Sequence, residues 1–406
     1  MNFYLLAGAL LTFSVSFSIP SRTALILSAA DNDASYAALF NGFSLSVQSL
    51  ISATTAPVLG SLADSTGRVP VLLFSVMFEC IGLFLLAVFS DSLPGQFFCC
   101  LLTSISGSAG LTILAAVSDL AKDRRTETRT FARYSATQGI AIALGPFIGG
   151  AFAAITFTAA PILVSAVILL SCLLLFAHLP DTAGSDLLSA RKSLWFSLQK
   201  TRCKVDGPLP TIKRSLSETR ALTILAVGLL VESLAVNGLV SITFLYLNTK
   251  FGFGSFRFGV YVSLTGAVLI MSQLALSARM VRWAGERYVI VCGFIFCAIQ
   301  CLTLGHAKKT WVLWPSILLL IPYFAAIPSL KAVVARQVDT DKQGQLQGSI
   351  EAIQSVVKPL ASLGLASAFA ISNRYDMPEF VFYPIAFCML AAGVITNVAL
   401  NHPEIK

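Results

Sequence analysis

Gly60-Ser-Leu-Ala-Asp64-Ser-Thr-Gly67-Arg68 is the stretch from which the architecture of this chain is read. It is a polar turn between two apolar runs, about 36 to 61 and 69 to 90, each long enough for a helix to cross a bilayer. Gly60 has no side chain and would let another helix come close, while Gly67 can take the positive-φ conformation that reverses the chain. Asp64 and Arg68 set opposite charges at a membrane boundary, where charge costs far less than in hydrocarbon.

Working outward, the same alternation fills the chain. Of its 406 residues, 56% are hydrophobic and 12% are charged, against about 25% charged in soluble domains, so lipid must be the outer solvent. Apolar runs recur at about 3–28, 36–61, 69–90, 96–120, 133–156, 160–179, 220–247, 257–280, 288–305, 310–335, 345–371 and 378–401. This predicts an all-α membrane protein of twelve transmembrane helices. The first run is long enough to span and is followed by more spans, so it reads as a retained helix rather than a cleaved signal. Connections are short except for the polar stretch 180–219, which divides the chain into an N-terminal six-helix bundle (1–179), a cytoplasmic linker (180–219) and a C-terminal six-helix bundle (220–406).

Basic residues set the orientation, because positively charged loops stay on the cytoplasmic side. With the N-terminus inside, 20 of the 28 Lys and Arg fall in cytoplasmic segments and only Lys250, Arg257, Lys308, Lys309 and Arg374 fall outside. Both termini are therefore expected in the cytoplasm, and the net charge of +8 is a topology signal, helped by contact with membrane lipid, rather than a nucleic-acid footprint. Most of the nine cysteines lie in or beside apolar runs, and the three histidines are scattered. This spacing indicates no disulfide framework and no metal site. Neither a nucleotide-binding loop nor a convergent nucleophile and base is visible, so neither catalytic residues nor a cofactor are expected, and the chain does not read as an enzyme.

In this setting the opening stretch resembles the G-x-L-A-D-x-x-G-R signature of the major facilitator superfamily, placed at the cytoplasmic end of the second helix, as in that family. Helix 5 carries Gly145-Pro146-Phe-Ile-Gly149-Gly150, similar to the G-P-x-x-G-G motif of its exporter and antiporter branch. Pro146 can kink the helix and the glycines allow close packing, so a bent, tightly packed helix is an equal reading. Asn41-Gly42 through Ala56-Pro57, Phe244-Leu-Tyr-Leu247 and Gly344-Gln-Leu-Gln-Gly348 look like the tetracycline-resistance antiporters and the hippocampus-abundant-transcript-like proteins. The resemblance implies two six-helix bundles rocking by alternating access, with the Asp64 carboxylate facing the start of helix 11 as a latch on the inner gate. Gly60, Asp64, Gly67, Arg68, Gly145 and Pro146 are thereby the expected gating residues. A weak echo, Arg282-Trp-Ala-Gly285-Glu286-Arg287, joins helices 8 and 9 at the corresponding place in the second half.

Six ionisable residues lie within the spans: Arg22, Glu79, Glu232, Lys331, Glu351 and Lys358. Such residues usually face a bundle interior or pair with one another. Glu351, Gln354 and Lys358 share one face of helix 11; helix 7 offers Glu232 and, just over a turn on, Asn237. The resemblance implies that both helices line a central cavity, which makes these five the candidate solute or proton contacts. Arg22, following Pro20 in helix 1, could draw in an anionic group, whereas Glu79 suits a structural ion pair or hydrogen bond. Proton-coupled exporters of the branch carry an acid in helix 1 and an arginine in helix 4; here helix 1 has no acid and Thr103 stands in the arginine's place. The expected activity is secondary transport of a small organic solute by a monomer. Coupling to protons in antiport is open, as are an uncoupled facilitator and a non-transporting receptor or sensor on the same fold.

Overall fold

A computed structural model describes residues 2–106, 109–110, 112–113, 116, 124–177, 220–337 and 343–402, apart from some side chains. Helices α1 (Asn2–Ala29), α2 (Ala34–Thr66), α3 (Arg68–Val88), α4 (Leu93–Ile105), α5 (Arg124–Ile155) and α6 (Ala160–Ala177) precede the linker. After it come α7 (Arg220–Phe251), α8 (Ser255–Ala284), α9 (Glu286–His306), α10 (Leu320–Arg336), α11 (Gln343–Arg374) and α12 (Phe382–Leu400). Among the described residues ten helices are long and apolar enough to cross a membrane. The expected spans at 36–61 and 96–120 correspond to α2, which is not one of those ten, and to the short apolar α4, beyond which the described residues become discontinuous. The linker 180–219 lies outside them.

Helix ends follow local chemistry. Asp33 caps α2 by accepting from the backbone nitrogens of Ser35 (2.8 Å) and Tyr36 (3.1 Å). Ser92 caps α4 with Pro94 in its first turn. Helix α5 begins nine residues before the apolar run, at Arg124, because an Arg- and Glu-bearing segment outside the hydrocarbon has good helix propensity and no need to be apolar. Gly67 has φ 107° and ψ 157°, and Gly285 has φ 84° and ψ 153°. This region of backbone space is essentially confined to glycine, and both residues use it to turn one helix into the next. The shared glycine of the sequence echo is thus also a shared backbone conformation.

The chain falls into two compact units. Unit 1 comprises Met1–Asn32, Val47–Val205 and Phe253–Ser263; unit 2 comprises Asp33–Ser46, Asp206–Gly252 and Leu264–Lys406. In unit 1, α1 packs along α5 and α6, and α3 lies against α4 and α6. Apolar side chains such as Tyr4, Leu72, Leu83, Ile113, Leu169 and Phe176 form the core. Ser14 and Ser165 each give their hydroxyl to the other's carbonyl, at 2.8 and 2.9 Å, the small-residue contact by which helices associate where burying apolar surface gains nothing. Glycines do the same on α5: a Cβ at Gly149 would collide with the Phe17 carbonyl oxygen, and one at Gly150 would stand 2.7 Å from the Ser255 carbonyl oxygen.

In unit 2, α7 packs on α11 and α12, and α9 on α10 and α12. The first turns of α2 join it: Asn41 donates to the Ser241 carbonyl (2.7 Å), Asn373 to Ser35 (2.9 Å), and Gly42 lets α2 lie against Ser362 and Ala366. One π-turn, Ser272–Leu276, interrupts α8 where the Ser272 hydroxyl reaches the Ile321 carbonyl (2.6 Å). Lys250 is held by the Gly305 carbonyl (2.7 Å) and Glu379 (3.4 Å), and Arg336 pairs with Glu286 at 2.5 Å. Many large apolar side chains point outward, among them Val240, Leu360 and Phe387, as a lipid-facing surface requires. Trp283 ends α8 at 89% exposure, and Trp311, just before α10, is 64% exposed.

Candidate functional site

The polar interior of unit 2 is built from three helices. Glu232, midway along α7, is only 8% exposed. The Tyr323 hydroxyl of α10 donates to its Oε1 at 2.5 Å, and the neighbouring Ser233 hydroxyl donates to Oε2 at 3.3 Å. Ser233 in turn accepts from Gln354 Nε2 of α11 at 2.8 Å, while Asn237 Nδ2 donates to the Ser233 carbonyl at 2.7 Å. A directed relay results, in which Gln354 donates to Ser233 and both Ser233 and Tyr323 donate to Glu232. A carboxylate out of water needs such donors to remain ionised, and a proton arriving there would reorganise contacts on all three helices at once.

Glu232, Asn237 and Gln354, three of the candidate solute or proton contacts, are thus linked through Ser233 in one cluster. Lys358 lies one turn further along α11, half-buried and engaged with other groups; the Glu351 side chain lies outside the described residues. Tyr323 was missed, because one tyrosine among 29 phenylalanines and nine tyrosines in apolar helices carries no signal. Only the crossing of α7 and α10 exposes its role.

Unit 1 has its own buried charge. Arg22 of α1 pairs with Glu79 of α3, Nη2 to Oε1 at 3.3 Å, with side chains 25% and 13% exposed. The Ser106 hydroxyl donates to the other carboxylate oxygen, Oε2, and Arg22 Nε is buried with no hydrogen-bond partner among the described residues. Glu79 thus makes an ion pair, and its partner is Arg22, the residue expected to draw in an anionic group.

The gating candidates divide. Gly145 lets α1 approach, since a Cβ there would stand 2.7 Å from Ser16 Cβ and 3.0 Å from the Phe17 nitrogen. The Pro146 carbonyl oxygen would be struck by a Cβ at Gly259, so this stretch of α5 is a tightly packed seam. At Gly60 a Cβ meets nothing within 4 Å among the described residues, while close helix approaches are made by Gly149 and Gly42. Gly67 makes the turn, and Arg68 opens α3 with its side chain engaged. The Asp64 side chain, and with it the latch, lies outside the described residues.

Each unit is built of apolar helices with glycine seams and a buried polar cluster, and the sequence profile of the Major Facilitator Superfamily matches residues 2–362. The chain belongs to that superfamily, whose members are transporters and not enzymes, and is an integral multi-pass membrane protein. It is 26% identical over 326 residues to human hippocampus abundant transcript-like protein 1, covering 79% of this chain and 62% of that one. Over 339 residues it is 26% identical to the class C tetracycline resistance protein of Escherichia coli, covering 82% and 80%. This chain thus spans about 62% of the length of the hippocampus-abundant-transcript-like relatives. Among solved structures it resembles the human organic anion transporter MFSD10 (TM-score 0.68, 19% identity, 97% and 98% covered) and the nucleoside transporter NupG (TM-score 0.74, 13% identity, 99% and 100% covered). These likenesses show the fold.

Proposed function

We propose that this chain carries a small organic solute across a bilayer by alternating access, with a proton as the coupling ion at Glu232. Membership of the superfamily supports the carrier reading. The single observation behind the coupling is that the buried Glu232 carboxylate joins α7 to α10 and, through Ser233, to α11. Protonation removes the charge that its donors serve, so binding a proton alters the packing of three helices and can bias a two-state carrier. Asn237 and Lys358 complete the polar lining for solute, and Asp64 is the candidate latch of the inner gate.

The test is flux in liposomes containing the purified chain, with an imposed pH gradient. Solute movement driven by the gradient in wild type, and insensitive to it in Glu232→Gln at equal reconstitution, is the expected result. Flux without response to the gradient would make the chain an uncoupled facilitator. Solute binding without flux would make it a receptor.

A further inference from the structure

We infer that the Arg22–Glu79 pair is a displaceable counter-ion site: an organic carboxylate takes the Arg22 guanidinium from Glu79, and Glu79 takes up one proton in exchange. The inference rests on the carrier reading above and names its solute class as organic anion.

The geometry is that of a pair under-served on the basic side. Arg22 makes one contact to Glu79, at 3.3 Å through Nη2, whereas a guanidinium carries five N–H donors in a fork made for bidentate carboxylate recognition. Its Nε–H is buried and has no hydrogen-bond partner among the described residues. A second carboxylate engaging Nε and Nη2 together would satisfy more of the fork than Glu79 does. Glu79 keeps the Ser106 hydroxyl as a neutral partner when Arg22 turns to the solute. Arg22 lies two residues after Pro20 within α1, and a quarter of its side chain is exposed.

Charge balance dictates the second half. In the resting pair one positive and one negative charge cancel. An arriving carboxylate adds a negative charge, and Glu79, left at the protein interior without its counter-ion, is too costly to keep ionised. It binds one proton from water, giving Arg22 as cation, solute as anion and Glu79 neutral, so the net charge of the site is again zero. Other titratable groups around Glu79 do not replace it in this exchange. From α1 there is Arg22 itself; from α4 there is the Cys100 thiol, within the field of both Arg22 and Glu79; on α3 there is Cys80, whose thiol donates to the Ala166 carbonyl (3.3 Å). Helix α6 brings no carboxylate or base in its sequence. The linkage concerns binding, and it holds whichever way the solute moves.

The experiment uses benzoate as probe, with benzamide as its neutral isostere, on the full chain purified in detergent. Benzoate binding is followed calorimetrically between about pH 5 and 8, where the probe stays ionised, and proton uptake is read in weak buffer. Wild type should take up close to one proton per benzoate and bind about tenfold more weakly for each unit of rising pH, which is the slope that one linked proton imposes. Glu79→Gln should bind benzoate with neither proton uptake nor pH slope. Arg22→Gln should lose binding, and Arg22→Lys, which keeps the charge but not the fork, should bind more weakly than wild type while retaining the slope. Benzamide should not bind. No benzoate binding by wild type, binding without proton uptake, or uptake that persists in Glu79→Gln would each overturn the inference. Because binding is read without a membrane, this outcome is separate from whether the chain supports flux.

Discussion

A carboxylate inside a membrane protein stays ionised only where donors replace the water it has lost, and at Glu232 those donors are Tyr323 and Ser233. Hydrogen bonds between membrane helices contribute about 0.6 kcal/mol on average and up to about 1.7. Tyr323→Phe should therefore lower unfolding stability by about 1 kcal/mol and shift the pH response of flux, read by thermal unfolding in detergent and by liposome uptake. A variant equal to wild type in both would remove Tyr323 from the relay. The acidic and amide members of this cluster were legible in the sequence because Glu232, Asn237 and Gln354 interrupt apolar runs at helical spacing. Tyr323 was not, since it is apolar enough to pass as core. Nor was the Arg22–Glu79 contact, which joins two helices across 57 positions of sequence; each residue stood out alone, but their partnership depends on how α1 and α3 pack.

Among elements, Gly149 of α5 and Gly60 of α2 stand in opposite surroundings among the described residues. A methyl group at Gly149 would meet the backbone carbonyl of Phe17, which cannot move aside without displacing α1. Gly149→Ala should cost several kcal/mol, within the range of about 1–3 or more for overpacking, and should reduce folded yield in detergent. Gly60→Ala should be neutral or stabilising by up to roughly 1 kcal/mol, because the added side chain meets nothing within 4 Å among the described residues and alanine favours helix over glycine. Parallel melting curves for the two variants decide the matter, and equal losses would refute the assignment of the tight seam to α5. Helix ends show where the sequence was weakest: the polar start of α5 has no hydropathic signature, so the apolar run marks the membrane-crossing part and not the whole helix. The Gly67 and Gly285 turns were easier, since glycine between a long apolar run and a charged residue has few other uses.

For the whole molecule, the superfamily fold was legible because the lipid-facing surface demands long apolar runs, and those survive any uncertainty in packing. The expected orientation rests on charge alone. Single cysteines at Ser185 and Lys308, in a background with the nine native cysteines replaced, should differ toward an impermeant thiol reagent in intact cells. Lys308 lies exposed between α9 and α10 and should be labelled, while Ser185 in the basic linker should be protected until the cells are opened; the reverse pattern would invert the protein. The two outward-facing indoles, Trp283 and Trp311, flank opposite ends of α9. That helix has 21 residues, or about 31 Å at 1.5 Å per residue, close to the roughly 30 Å of a hydrocarbon core. With Trp195 and Trp314 changed to phenylalanine, the chain becomes its own optical depth gauge: lipids brominated near the headgroup should quench both emissions strongly, and lipids brominated at the acyl-chain ends should leave both bright.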